Sequence, residues 1–136
     1  RYTINVFSQY HEGLINKYYR GPYQLSLRFK NSAPVALPDS YFGYAGQSMA
    51  VAAPGVLEND TDADGNPLTA VLTTGAQHGG LALAGSGSFT YMPDPGFTGT
   101  DTFQYRASDG FDSSGPVTVA ITIDPQTQFL PVVLAE

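Results

Sequence analysis

The chain has 136 residues, 42% of them hydrophobic and only 13% charged, with no cysteine and a formal net charge of −6. That length fits one domain with an appendage. The missing thiols exclude disulfides and thiolate metal sites, and no apolar run reaches the roughly 18 residues of a membrane helix. So few charges leave a surface of Thr, Ser, Gln, Asn, Gly and Tyr, which suits a secreted β-protein. Arg1 rather than Met at the start suggests a processed product whose signal peptide is already gone.

The charge is unevenly placed. Residues 1–33 carry five basic side chains against Glu12, whereas residues 34–136 carry Arg106 against eleven carboxylates. Cations diluted through a Tyr-rich segment make a poor phosphate track, which argues against nucleic acid. A basic arm that docks on an acidic body, its own or a neighbour's, fits the pattern better.

In chain order, "RYTINVF" alternates and sets Tyr2, Ile4 and Val6 on one face. "HEGLINKYY" offers only a turn or two of helix, and "YQLSLRF" alternates again, so residues 1–33 read as a β arm or hairpin. A two-stranded hairpin alone is marginal in water. From residue 34 onward short strands recur: "LTAVLT", "LALA", "SFTYM", "DTFQYRAS" and "PVTVAITI". Phe89 and Tyr91 share a face, as do Phe103, Tyr105 and Ala107, and then Val117, Val119, Ile121 and Ile123. Gly and Pro at "APG", "DADGNP", "HGG", "PDPGFTG" and "SDG" separate these runs with tight turns. Such spacing predicts an all-β, Ig-like antiparallel sandwich of two sheets over residues 34–124. Residues 125–136 form an apolar, extended tail carrying Phe129, Leu130, Val132, Val133 and Leu134.

"LENDTDADGNPLTA" places Asp60, Asp62 and Asp64 on alternate positions and follows them with Gly65. This matches the first half of an EF-hand loop, D-x-D-x-D-G. The second half fails, because Val71 stands where a bidentate Glu is needed and no amphipathic helices flank the loop. Clustered carboxylates repel by roughly 1 kcal/mol per close pair in water, and a cation would relieve them. The same residues could instead cap turns through backbone amides.

Taken in order, "PVALPDSY", "VAAPGVLENDTDADGNPLTAVL", "HGGLAL", "GSFTYMPDPGFTGTDTFQYRASDG" and "VTVAITI" resemble the bacterial cadherin-like, immunoglobulin-like repeats of surface and adhesin proteins. The resemblance spans residues 34–124. It implies a seven-stranded sandwich strung in tandem, with calcium at the ends where modules meet. The implied ligands are Asp62 and Asp64 of the Asp-x-Asp pair and Asp109 of "ASD", with Asp60 and Asp101 as weaker candidates. Where the family often carries early acidic residues, this chain has Ser40 and Gln47.

Nothing argues for catalysis. His11 and His78 sit in unrelated contexts and read as surface residues, "GSGS" belongs to a turn, and the aspartates cluster in turns rather than a cleft. Asn59-Asp60-Thr61 is a formal glycosylation sequon of the kind that arises often by chance. The expectation is a non-enzymatic extracellular protein at the cell surface. In its sharpest form it is a subunit of a head-to-tail filament, joined by strands exchanged through the flanks (Tyr2, Ile4, Val6 and residues 129–134). The alternatives are a calcium-binding spacer or adhesion module cut from a larger surface protein, and a carbohydrate-binding accessory module of a secreted hydrolase. For the last, Tyr10, Tyr18, Tyr19 and Tyr23 would stack on a surface glycan.

Overall fold

A computed structural model of the chain describes residues 30–127. The arm and tail positions expected to exchange strands, Tyr2, Ile4 and Val6 with Phe129, Leu130, Val132, Val133 and Leu134, lie outside the described residues, as do His11 and the four arm tyrosines.

Among the described residues seven strands follow in order: β1 (Asp39–Tyr44), β2 (Met49–Val51), β3 (Thr69–Thr74), β4 (Gly79–Leu83), β5 (Phe89–Pro93), β6 (Gly99–Ser108) and β7 (Val117–Asp124), with one 3-10 turn at Gly55–Leu57. They form two layers, a four-stranded sheet in the order β1-β7-β6-β3 and a three-stranded sheet in the order β2-β5-β4. The predicted all-β sandwich is therefore present. Each alternating run buries one face, because successive side chains of a strand point to opposite sides. Phe103, Tyr105 and Ala107 of β6, Val119, Ile121 and Ile123 of β7, and Phe89 and Tyr91 of β5 are all buried. Phe89 is the hinge of this core, meeting the Tyr41 ring edge-on at 5.0 Å and the Phe103 ring at 5.5 Å.

One pairing departs from the expected antiparallel pattern. β1 lies parallel to β7, from Asp39 opposite Val119 to Tyr44 opposite Asp124. No hairpin joins these two strands. β1 leaves for the other sheet through β2, and both β1 and β7 start at the same end of the sandwich, so they run the same way. This fixes the position of the chain ends. Residues 30–38 lie at the incoming end, beside the β6–β7 loop, and residues 124–127 leave from the opposite, outgoing end. Eight residues of β7 separate the two by about 25 Å.

Candidate cation site at the incoming end

Two loops meet the incoming chain at this end. In the first, residues 62–66, Asp62 Oδ1 accepts the backbone N–H groups of Asp64 (2.9 Å) and Asn66 (3.0 Å), and Gly65 takes φ 74° to close the turn. In the second, Asp109 Oδ1 accepts the N–H groups of Phe111 (2.7 Å) and Asp112 (2.6 Å). These are the self-capping turns that aspartates favour. What the loops hold between them is residues 31–32. The Asn31 amide donates to Asp109 Oδ2 at 2.7 Å and to Asp112 Oδ2 at 3.0 Å. Its oxygen accepts from Asn66 Nδ2 at 3.1 Å, and Ser32 N–H donates to Asp64 Oδ2 at 2.6 Å. The Asn31 amide, with the backbone N–H groups of Asp112 and Phe111, holds the Asp109 carboxyl below the ordinary carboxylate range.

The structure thus brings Asp62, Asp64 and Asp109 to one end, as the sequence pattern anticipates. It adds Asn31, Asn66 and Asp112, which the motifs leave unassigned, although "DGN" and "SDGFD" carry two of them. Among the described residues the only salt bridge joins His78 and Asp101, so none of these carboxylates is paired with Lys30 or Arg106.

Two of the five expected ligands go elsewhere. Asp60 turns into the domain, where Oδ1 accepts Leu37 N–H and Oδ2 accepts the Tyr105 hydroxyl, both at 2.9 Å. Asp101 lies at the far end of β6 from Asp109. It is 3% exposed, and its two oxygens accept the N–H groups of Gln77, His78 and Thr102 and the Tyr91 hydroxyl. Burial opposes its charge, but these four donors outweigh burial and hold its carboxyl below the ordinary range. His78, half-exposed as expected, stacks on Phe97 with ring centroids 4.6 Å apart, and its Nδ1 sits 3.5 Å from Asp101.

The Asp60 corner has its own electrostatics. The Tyr105 hydroxyl has one proton for three acceptors: Val56 O, Asp60 Oδ2 and Asp39 Oδ2, the last at 3.4 Å. Burial first, then the Asp60 charge, push the Asp39 carboxyl from its ordinary 3.8 up to about 6. Because the folded value is the higher one, Asp39 supports folding fully below pH 3.8 and loses that support as pH rises through about 6. Asp39→Asn is expected to stabilise the domain by about 1 kcal/mol at neutral pH, once partial exposure is allowed for. The gain should vanish near about pH 3.5, where wild type is also neutral at this position. Urea melts across that range check it, and a gain that persists in acid would refute the assignment.

The oxygen atoms at the incoming end suit a hard cation such as calcium, which takes carboxylate, amide and backbone oxygens. One observation bears on the fit directly. Asp62 Oδ2 is buried and, among the described residues, has no hydrogen-bond donor. A carboxylate oxygen so placed is costly unless something positive faces it. The other carboxylates point at N–H donors, the Asn31 amide group lying between two of them. Among the described residues no three acidic or imidazole groups converge as a closed ligand shell. By oxygen chemistry and the donorless Asp62 Oδ2, Asp62, Asp64, Asp109 and the Asn31 oxygen are the groups that would hold calcium, although as placed they do not converge on one point.

A seven-stranded sandwich that gathers aspartates and asparagines where the chain enters is the architecture of a cadherin-type module. Residues 31–125 match the family model of the bacterial cadherin-like domain, and the chain belongs to that family. No curated protein matches the chain. Among solved structures it is similar to the endo-fucoidan hydrolase MfFcnA4 of glycoside hydrolase family 107, with 25% identity, a TM-score of 0.53, and coverage of 76% of this chain. A variant of that hydrolase, MfFcnA4_H294Q, aligns with 18% identity and a TM-score of 0.51 over 74% of the chain. The match takes up 16% of the first hydrolase and 15% of the second, so this chain corresponds to a small part of each.

Proposed function

We propose that the chain is a non-catalytic linking module of a larger extracellular bacterial protein, and that calcium bound at its incoming end stiffens its junction with whatever precedes it. One observation carries this reading: residues 31–32 are clasped by acidic loops at one end, one of whose buried carboxylate oxygens has no donor among the described residues, while the described chain leaves from the other end. A module built this way transmits force or spacing along its long axis. A cation replacing the Asn31 amide between the carboxylates would fix the incoming segment against both loops.

Calcium at about 100 times its dissociation constant is expected to add about 2.7 kcal/mol, or about 10 °C in melting temperature. Asp62→Asn should abolish the shift, and calorimetric titration should show heat for calcium in wild type alone. Identical melts in chelator and in millimolar calcium would sink the cation while leaving the fold intact.

The similarity to a part of an endo-fucoidan hydrolase supports a second reading, in which such a module accompanies a secreted polysaccharide hydrolase. Strand exchange into a filament would have to draw on residues outside 30–127. Serial covalent linkage, which needs only the incoming and outgoing ends of the described domain, is the reading advanced here.

A further inference from the structure

We infer that the outer face of the four-stranded sheet is a binding platform for an uncharged polysaccharide, with Phe42 and Tyr44 as its stacking residues. β1 alternates so that Tyr41 and Gly43 turn to the core, and Phe42 and Tyr44 turn to solvent, where they are 74% and 55% exposed. Two residues apart on one strand, they leave the backbone about 7 Å from each other on the same side. β1 is where the sheet ends, so the two adjacent rings form an apolar strip along an open edge.

Beside Phe42 the neighbouring strands continue the face with neutral polar groups, while Tyr44 sits opposite Asp124 at the outgoing end. Phe42 sits opposite Thr122, and Thr122 opposite Thr100, with the two hydroxyl oxygens 3.3 Å apart. Further along, Gln104 Nε2 donates to Thr118 Oγ1 at 3.2 Å. Hydroxyls and amides both donate and accept, which matches the chemistry of sugar hydroxyls, while the C–H face of a pyranose ring stacks on an aromatic ring as other apolar faces do. The platform is a sheet face without walls, so it suits an extended chain or a flat polymer surface rather than a small sugar.

Charge selects the class. Along β6 and β7 the outward charged residues are Arg106 toward the incoming end and Asp124 at the outgoing end. Among the described residues this face carries one arginine, too few to clamp a row of sulfate esters, which call for arginine clusters. A protein partner fits less well, because interface centres need contiguous apolar area and this face alternates rings with threonines. The platform is independent of the cation reading, since it lies on a sheet face and needs no metal.

The test uses the full chain in native gels cast with hydroxyethylcellulose, laminarin or xylan, and in gels cast with sulfated fucoidan, together with pull-downs on microcrystalline cellulose and chitin. Retardation or retention by at least one neutral polymer is expected. The Phe42→Ala/Tyr44→Ala double variant should weaken it at least about tenfold with an unchanged melting temperature, since both side chains project into water. Phe111→Ala, which removes another ring 80% exposed, should leave retention unchanged. Four results would each overturn the proposal: no interaction with any neutral polymer; interaction with fucoidan alone; a double variant that binds like wild type; or a double variant whose chief effect is to convert a sedimenting dimer to monomer.

Discussion

Asp101→Ala is expected to destabilise the domain by about 4 kcal/mol, lowering the melting temperature by more than about 15 °C. The carboxylate is 3% exposed and is the shared acceptor for three backbone N–H groups and one phenol. Removing it leaves the Tyr91 hydroxyl, in the buried part of the corner, and the part-buried Gln77, His78 and Thr102 amides to find other acceptors, and each donor left unsatisfied costs about 1–3 kcal/mol. The loss would fall on the corner that joins β4 to β5 and β6, because Tyr91 also reaches His78 O at 3.3 Å and Asp94 N–H donates to the same carbonyl at 2.8 Å. Tyr91→Phe, which removes a single donor, should cost only about 1 kcal/mol. Because the folded carboxyl lies below its ordinary value, its contribution is present at neutral pH and is lost only as pH falls through that lowered value. Asp101→Ala should therefore flatten the acid limb of the stability curve, in the direction opposite to Asp39→Asn. Denaturation of Asp101→Ala within 1 kcal/mol of wild type, by about the usual error of such extrapolations, would show that water replaces the carboxylate easily.

Gly87→Ala should be at least as damaging, costing about 3–5 kcal/mol. Gly87 has φ 84°, and a Cβ placed there would stand 1.9 Å from the Pro54 carbonyl oxygen. The contact is reciprocal: a Cβ on Gly55, at φ 53°, would stand 2.1 Å from Gly87 O, the oxygen that accepts Val56 N–H at 3.0 Å. The two glycines let the 3-10 turn at Gly55–Leu57 lie against the β4–β5 hairpin, which seats Val56 in the core. Backbone atoms cannot step aside as a flexible side chain can. Gly96→Ala provides the comparison, since it shares a positive φ of 77° but opens on empty space. There only the conformational penalty of about 1–2 kcal/mol applies. Equal losses at positions 87 and 96 would mean that the close approach contributes nothing.

The candidate cation residues show where local pattern ceases to inform. Asp62 and Asp64 are legible because three carboxylates on alternate positions before a glycine repel unless something organises them, and Asp109 because it ends a strand at a turn. Asp101 could have been separated from them by counting. It has the parity of Phe103 and Tyr105 and so faces the core, and it stands eight residues before Asp109 on one extended strand, which puts the two at opposite ends. Asn31 gives no such signal. Its acid partners are 78 and 81 residues away, and a lone asparagine before the first strand carries no periodicity.

By itself the sequence determined the layers: period-two alternation in β5, β6 and β7 dictates which side chains are buried, because a strand can hide only one face. The tertiary structure alone decided that β1 runs parallel to β7, that the acidic loops close on Asn31 and Ser32, and that Asp60 turns inward to Tyr105. Those outcomes depend on register between segments far apart in the chain, which local spacing does not encode.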